Sequence, residues 1–212
     1  MAGDGRDARC RGHLEEAAET HRLAAEQLST TVAAAAALVE TALRRGGTVL
    51  VCGNGGSAAE SQHFAAELTG RFRRERPGWP AVALTTDTSA LTAIGNDYGF
   101  AQVFARQVEA LGRAGDVLLA LSTSGTSANI VEAARRARAA GLSVVALTGP
   151  DAGAVGVLAD VVIAAPGSST ARVQEVHLTV LHAMGDEIEA ALVEDGVAGK
   201  PKPEARSLKP EA

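Results

Sequence analysis

Short apolar runs recur along the middle of the chain, and each is followed by a polar or glycine-rich stretch and then by a helical pattern. Continuous apolar runs of this length are typical of strands that are covered on both faces, as in a parallel sheet. Strands that alternate with helices favour a three-layer α/β sandwich with right-handed connections. The predicted strands lie at residues 48–52, 81–84, 117–121, 144–147 and 161–164.

A long helix is predicted ahead of the first strand, over residues 13–45. Its apolar positions recur at steps of three and four, which is the spacing of a helix that packs lengthwise against others. Gly46 and Gly47 end it. The pattern leaves open whether this face packs within the chain or against a second copy. The apolar positions are Leu14, Ala18, Ala25, Leu28, Val32, Ala35 and Val39. Further helices are predicted after residue 57 to about 69, at 100–111, after residue 127 up to Gly141, and at about 171–193.

The hydrophobic pattern predicts one domain. A length of 212 residues with 46% hydrophobic residues fits a single sizeable core, which we assign to residues 13–193. Residues 1–12 are predicted to be a flexible N-terminus. Residues 194–212 are dominated by Gly, Pro, Lys and Glu, so we expect a disordered tail there.

Composition excludes several classes of function. The net charge of −5 argues against a general binder of phosphate backbones, and 3% aromatic residues leave few stacking platforms for single-stranded nucleic acid. The two cysteines, Cys10 and Cys52, cannot form a disulfide framework, which indicates a reducing compartment. The longest apolar run, residues 32–39, is shorter than the roughly 20 residues that span a bilayer, and no export signal is evident. We therefore expect a cytoplasmic protein with no membrane partner and no direct nucleic-acid binding.

Lysine is confined to the C-terminal stretch, at Lys200, Lys202 and Lys209. This excludes Schiff-base chemistry and a P-loop lysine in the body of the protein. A bound phosphate would have to be held by backbone N–H groups, hydroxyls or arginine.

Two loops follow predicted strands and precede predicted helices, where open parallel sheets bind ligands. The segment 53–57 is Gly-Asn-Gly-Gly-Ser, and it fits either a ligand loop or a plain turn. The segment 122–127 is Ser-Thr-Ser-Gly-Thr-Ser and presents five hydroxyls. Capping a helix requires only one hydroxyl. We therefore favour a phosphate site made of hydroxyls, N–H groups and the helix dipole.

Two pairs of polar side chains have the spacing of a metal or proton-transfer site. His63 and Glu67 are four residues apart on one predicted helix, and Gln174 and His182 are eight apart on another, so each pair shares a helix face. Together they form a possible N₂O₂ set for a divalent ion. On spacing alone, ordinary surface side chains are the better interpretation. His177 lies near the same face, so the spacing does not decide which histidine is the ligand.

Two other polar groups are ambiguous. Asn96 and Asp97 follow the second predicted strand, where they fit a turn or a site that recognises substrate hydroxyls. A local run of arginines favours a solvated face over an anion site. The run consists of Arg71, Arg73, Arg74 and Arg76.

Four ordered segments together resemble the phosphoheptose isomerases, the sedoheptulose 7-phosphate isomerase branch of the sugar-isomerase (SIS) domain family. They are CGNGGSAAESQHFAAELTGRF at 52–72, GNDYGF at 95–100, LSTSGTSANI at 121–130 and RVQEVHLTVLH at 172–182. The resemblance covers nearly the whole chain from the first helix to about Val193. It implies a flavodoxin-like sandwich with a five-stranded parallel sheet, assembled as a homotetramer with active sites near subunit interfaces.

The resemblance also implies roles for individual residues. The reaction would convert D-sedoheptulose 7-phosphate to D-glycero-D-manno-heptose 7-phosphate through an enediol, with Glu67 as base and His182 as acid. One zinc ion per subunit would be held by His63, Glu67, Gln174 and His182. The sugar phosphate would contact Asn54, Gly55, Gly56, Glu67, Asn96, Asp97, Ser122, Thr123, Ser124, Ser127 and Gln174.

Other functions remain open at this point. The DnaA-initiator-associating protein resembles the isomerases in sequence but acts as a replication regulator, and the full set of predicted metal ligands favours the enzyme. A sugar-phosphate-sensing transcription regulator and an arabinose 5-phosphate isomerase are weaker alternatives, because no segment fits their additional domains. Ala171 stands where some family members carry an acidic residue, which affects the expected orientation of the substrate but not the class of reaction.

Overall fold

A five-stranded parallel sheet forms the centre of the protein, with the strand order β2-β1-β3-β4-β5. The computed structural model describes residues 4–194, so the predicted tail beyond Glu194 and the first three residues lie outside the described residues. The parallel sheet and its flanking helices confirm the predicted fold class. The strands are β1 Val49–Cys52, β2 Ala81–Ala83, β3 Val117–Ser122, β4 Ser143–Thr148 and β5 Val161–Ala164.

Helices cover both faces of the sheet, because successive strand residues point to opposite sides. Val51, Leu119 and Val145 belong to a core packed against α1, α2 and α7. Leu50, Leu118 and other alternate residues belong to a second core on the side of α4 and α5. The helices are α1 Asp4–Arg44, α2 Gly56–Thr69, α3 Thr88–Tyr98, α4 Ala105–Leu111, α5 Ala128–Ala139, α6 Gly153–Gly156 and α7 Thr170–Glu194.

The first helix differs from its prediction at the N-terminal end. It begins at Asp4 rather than at residue 13, so most of the segment expected to be flexible is helical. The segment contains no proline to stop the helix, and Asp7 pairs with Arg11 one turn later. Its side chains are exposed, so the apolar periodicity used for the prediction could not detect it.

Two further differences concern the region after β2. Helix α3 was not predicted, because none of its residues is fully buried and only Leu91 and Ile94, both partly buried, pack against the core. Its N-cap is Asp87, whose carboxylate accepts a hydrogen bond from the N–H of Ala90 at 2.9 Å. The single helix predicted over 100–111 is divided into a 3₁₀ turn, Phe100–Gln102, and helix α4.

The apolar face of α1 has two different environments. Leu28, Ala35 and Val39 are buried in the core of the same chain, whereas Leu14 is 69% exposed. Helix α7 packs beside α1, and the Arg172 guanidinium donates to the carbonyl of His13 at 2.9 Å. Among residues 4–194, no helix is both long enough and apolar enough to cross a bilayer.

Candidate active site

A cleft of about 420 Å³ opens where β1 and β3 end. Both strands are fully buried, and the loops that follow them form the two sides of the cleft. This is the edge of a parallel sheet where ligands bind. The lining residues are Asn54, Gly55, Gly56, Ser57, Leu121, Ser122, Thr123, Ser127, Thr170 and Gln174.

Glycine is required at two positions of the first loop, Gly53 and Gly55. Gly55 has φ +56°, and a Cβ at Gly53 would lie 2.5 Å from the carbonyl oxygen of Ser57. A Cβ at Gly56 would lie 2.5 Å from Oε1 of Gln174, so the loop backbone packs directly on that side chain. Asn54 exchanges two amide hydrogen bonds with Asn129, at 2.9 and 2.8 Å. The first loop is therefore fixed to α5 as well as to α7.

In the second loop Ser122, Thr123 and Ser127 line the cleft, whereas Ser124 does not, and its phosphate contact stays a prediction. Ser122 Oγ donates to Ser127 Oγ at 3.2 Å, and the Ser124 hydroxyl accepts from the N–H and the hydroxyl of Thr126 at 3.3 and 3.2 Å. Ser127 is the N-cap residue of α5, yet within the described chain its side chain makes no capping hydrogen bond. The hydroxyls and the helix N-terminus together are suited to an anion.

His63, Glu67 and His182 form a cluster on α2 and α7. The Nε2 atoms of the two histidines are 2.9 Å apart, and Oε1 of Glu67 lies 3.1 Å from His63 Nε2 and 3.5 Å from His182 Nε2. The Glu67 side chain is 12% exposed, whereas both imidazoles are about two-fifths exposed. Phe72 stacks on the His182 ring with 5.6 Å between centroids.

The donor set of this cluster fits a divalent metal ion. One atom from each residue can be chosen so that all three lie within 4.8 Å of one another. Glu67 Oε2 is buried and, among residues 4–194, has no hydrogen-bond partner. Two imidazole nitrogens and a carboxylate oxygen are typical zinc ligands.

Gln174, the fourth predicted ligand, lines the cleft. Its Nε2 lies 3.5 Å from Ser57 Oγ, and its side chain packs on Gly56. The helical rise places it about 12 Å along α7 from His182. The structure thus brings Gln174 together with the predicted substrate contacts, and its role as a fourth metal ligand stays a prediction.

Most of the chain is similar to known phosphoheptose isomerases. Residues 13–149 match the model of the SIS domain. The phosphoheptose isomerase of Laribacter hongkongensis is 52% identical over 87% of this chain and 96% of its own length. The chain belongs to the phosphoheptose isomerases of the SIS-domain family.

Solved structures of family members show the same fold. The phosphoheptose isomerase from Neisseria gonorrhoeae is 49% identical, has a TM-score of 0.83 and covers 87% of this chain and 98% of its own. The enzyme from Francisella tularensis is 39% identical with a TM-score of 0.83, over 86% of this chain and 97% of its own.

The structure separates the two histidines that spacing left undecided. His182 joins the cluster, whereas His177 is fully buried and its Nε2 lies 2.9 Å from the carbonyl oxygen of Thr148. Asn96 and Asp97 lie exposed in the last turn of α3, where the Asn96 amide donates to Asp97 at 2.8 Å. The structure does not place these two residues in the cleft lining, and their substrate contact stays a prediction.

Several residues of the site were not found from the sequence. Asn129 fixes Asn54, Thr170 lines the cleft, and Phe72 contacts His182. Asn129 lies two residues after the hydroxyl loop, so its position was a usable signal. Phe72 and Thr170 had no local signal, because only the tertiary packing of α7 brings them to the site.

Proposed function

We propose that this chain interconverts D-sedoheptulose 7-phosphate and D-glycero-D-manno-heptose 7-phosphate. The observation that carries the proposal is the Glu67 carboxylate, buried between two imidazoles, in a chain about half identical to named phosphoheptose isomerases. The relatives described above are all isomerases by name, which favours the enzyme over a DnaA-initiator-associating regulator.

The cleft and the cluster suit the two ends of a sugar phosphate. Ser122, Thr123 and Ser127 line the cleft at the N-terminus of α5, where hydroxyls and N–H groups hold the phosphate. His63 lies about 10 Å from Gly56 along α2. An extended seven-carbon chain can reach from the cleft toward the cluster, which places its carbonyl end near Glu67.

Proton transfer at the carbonyl end is the task of Glu67 and His182. Glu67 accepts the proton from C1, and the electron pair that is left forms the C1=C2 double bond. The π electrons of the C2 carbonyl move to its oxygen, which takes up a proton, and the product is the 1,2-enediol. The O1 hydroxyl then loses its proton as the carbonyl forms at C1, while His182, as the acid, returns a proton at C2, so that the net change is one proton moved from C1 to C2 and one from O1 to O2. A positioned base and acid of this kind contribute typically about 10²–10⁴-fold to the rate. The lack of lysine in residues 4–194 is consistent with an enediol route.

Zinc is the cofactor we propose, one ion per subunit, held by His63, Glu67 and His182. The unpartnered Glu67 Oε2 within the described chain and the N/O donor set support this assignment. When bound, the metal polarises the substrate carbonyl and the developing oxyanion. We place Gln174 with the substrate, on the evidence of its contacts with Gly56 and Ser57.

We further propose a cytoplasmic homotetramer. The exposed N-terminal half of α1 supports assembly through this helix. Cys10 and Cys52 are both free, Cys10 exposed and Cys52 buried, which suits a reducing compartment.

The test of the function is turnover by wild-type protein and by Glu67→Gln. Wild type supplied with zinc should convert sedoheptulose 7-phosphate to the aldose, measured by chromatography of the products. Glu67→Gln retains the shape but removes the base and a metal ligand. We expect kcat to fall at least about a hundredfold and the zinc content to fall as well.

Glu187→Gln is the matched control, because Glu187 is exposed on α7 and the change in charge is the same. It should retain wild-type kcat and zinc content. Wild-type turnover matched by Glu67→Gln would overturn the assigned mechanism. Absence of turnover in zinc-loaded wild type, together with binding to a replication initiator, would favour the regulator.

A further inference from the structure

Helices α2 and α7 run side by side in the same direction and touch at regular intervals. Ser57 faces Gln174 at 3.5 Å at the cleft, and His63 faces His182 at 2.9 Å in the cluster. Between these two contacts lies a third. Glu60 Oε2 on α2 is 3.9 Å from His177 Nδ1 on α7.

The middle contact is buried, and its facing atoms have no other partner. In the described part of the chain, Glu60 Oε2 and His177 Nδ1 are both without a hydrogen bond. Burial raises the pKa of Glu60 to about 7, although a hydrogen bond from Ser57 opposes the change. Burial also lowers the pKa of His177 to about 4, against the hydrogen bond to Thr148. The two atoms are a donor–acceptor match when the carboxyl is protonated and the imidazole neutral, although their 3.9 Å separation is longer than a hydrogen bond.

Glu60 and His177 are connected to several walls of the cleft. Ser57 lies one helical turn before Glu60 and lowers the pKa of its carboxyl, and the Ser57 hydroxyl faces the Gln174 amide at 3.5 Å. His177 donates from Nε2 to the carbonyl of Thr148 at the end of β4. The next residue, Gly149, donates its N–H to the carbonyl of Thr123 in the hydroxyl loop at 3.1 Å.

We propose that Glu60 and His177 are a buried positioning pair that aligns Ser57 and Gln174 with the phosphate end of the substrate. The proposal rests on the proposed function, because the substrate it concerns is the sugar phosphate. Neither residue is exposed to the cleft, so both act through their neighbours. Disrupting the pair should weaken substrate binding and leave proton transfer at Glu67 largely intact.

The test compares an isosteric variant with apolar variants. In Glu60→Gln the carboxamide can still donate to His177 and accept from Ser57, so KM and kcat should stay near wild type. Glu60→Leu and His177→Phe remove these polar contacts. Both should raise KM for sedoheptulose 7-phosphate about tenfold, as expected for loss of one hydrogen-bonded contact, with kcat changed less than about threefold. The double variant should be no worse than the more damaged single variant, because the two residues act as a unit.

Leu192→Ala is the control that distinguishes a loss of positioning from a general loss of stability. Leu192 is fully buried on α7, well beyond the pair along the helix. It should lower the melting temperature without changing KM. A KM for Glu60→Leu equal to that of wild type, or a KM change in Leu192→Ala as large as in Glu60→Leu, would overturn the positioning role. So would an additive double variant.

Binding of inorganic phosphate, measured by calorimetry, tests the role of the pair independently of turnover. Weaker phosphate binding in Glu60→Leu than in Glu60→Gln supports the pair even if wild type does not isomerise the heptose. Equal phosphate binding by wild type, Glu60→Leu and Glu60→Gln, or no phosphate binding at all, would count against the pair whatever the turnover.

Discussion

Ser127 has the position of a helix cap but not its usual hydrogen bond. An N-cap hydroxyl normally accepts from an N–H in the first turn. In the described structure the Ser127 hydroxyl instead accepts from Ser122 at 3.2 Å and borders the cleft. Ile130 donates its N–H to the carbonyl of Ser127 at 3.0 Å, so within the described chain the N–H groups of Ala128 and Asn129, together with the Ser127 hydroxyl, remain available to a phosphate.

Replacing Ser127 by alanine should raise KM for the sugar phosphate. A hydrogen bond to a charged group contributes about 1.5–3 kcal/mol, so an increase of roughly ten- to hundredfold is expected with kcat nearly unchanged. Steady-state kinetics measures both values. Thr126→Ala is the control, because this hydroxyl belongs to the same loop but does not line the cleft. Equal KM values for the two variants would place the phosphate elsewhere.

Residue spacing predicted the helix faces of the site but not the choice among neighbours on a face. His63 and Glu67 are four residues apart, and the structure places their side chains 3.1 Å apart. The choice of His182 over His177 depended on family resemblance. The structure gives the physical reason for this choice, because the packing of α7 buries His177 beneath the end of β4. Contacts between residues that are distant in sequence, such as Phe72 with His182, had no local signal.

At the scale of elements, the loop between α2 and β2 is organised by one residue of α7. The Glu189 carboxylate accepts from the N–H groups of Phe72, Arg73 and Arg74 at 2.7–2.9 Å and pairs with Arg76 at 2.9 Å. The Arg76 guanidinium also lies 3.5 Å from the centre of the Trp79 ring. This arrangement fixes the loop that presents Phe72 to His182.

The expectation that the arginine run forms a solvated face was therefore wrong for Arg76. Its side chain is 2% exposed, because a buried carboxylate from a distant helix pairs with it. A solvated position fits Arg73 better, since its side chain is 66% exposed. The apolar patterns predicted the five strands and their order of alternation with helices, since burial dominates there. They missed α3 because its side chains are not fully buried.

Glu189 should make the protein sensitive to acid. Burial alone would raise the pKa of this carboxyl, but the three backbone N–H donors and Arg76 outweigh it and lower the pKa below the ordinary 4.5. A carboxyl with a lowered pKa stabilises the folded state above its unfolded pKa. This stabilisation is lost as the pH falls from about 4.5 through the folded pKa.

Glu189→Gln tests this contribution through urea unfolding at pH 7 and pH 4, at a fixed protein concentration. Leaving Arg76 buried without its carboxylate should cost about 3–5 kcal/mol at pH 7. The difference from wild type should shrink below pH 4.5. Asp186→Asn is the control, because its ion pairs with Arg73 and Arg74 are partly exposed and contribute little. Equal urea midpoints for wild type and Glu189→Gln at pH 7 would contradict the assignment.

At the scale of the whole molecule, α1 has an apolar groove that the rest of the described chain leaves open. The groove lies between α1 and α7 and has a volume of about 290 Å³. Ala25 lines it and is exposed, and Leu14 further along the helix is exposed as well. An open apolar face on a long helix is suited to the same helix of a second copy.

Assembly through this groove can be tested with two identical substitutions on opposite faces of α1. Wild type should scatter light as a particle about four times the 21.5 kDa mass of the chain at micromolar concentration. Ala25→Glu adds a charge to the groove and should dissociate the tetramer, because an unpaired charge in an interface is costly. Ala34→Glu adds the same charge nine residues later, half a turn round the helix from Ala25, at an exposed position away from the groove, and should leave the tetramer intact. A monomeric wild type would exclude the tetramer, and a tetrameric Ala25→Glu would move the interface to another surface.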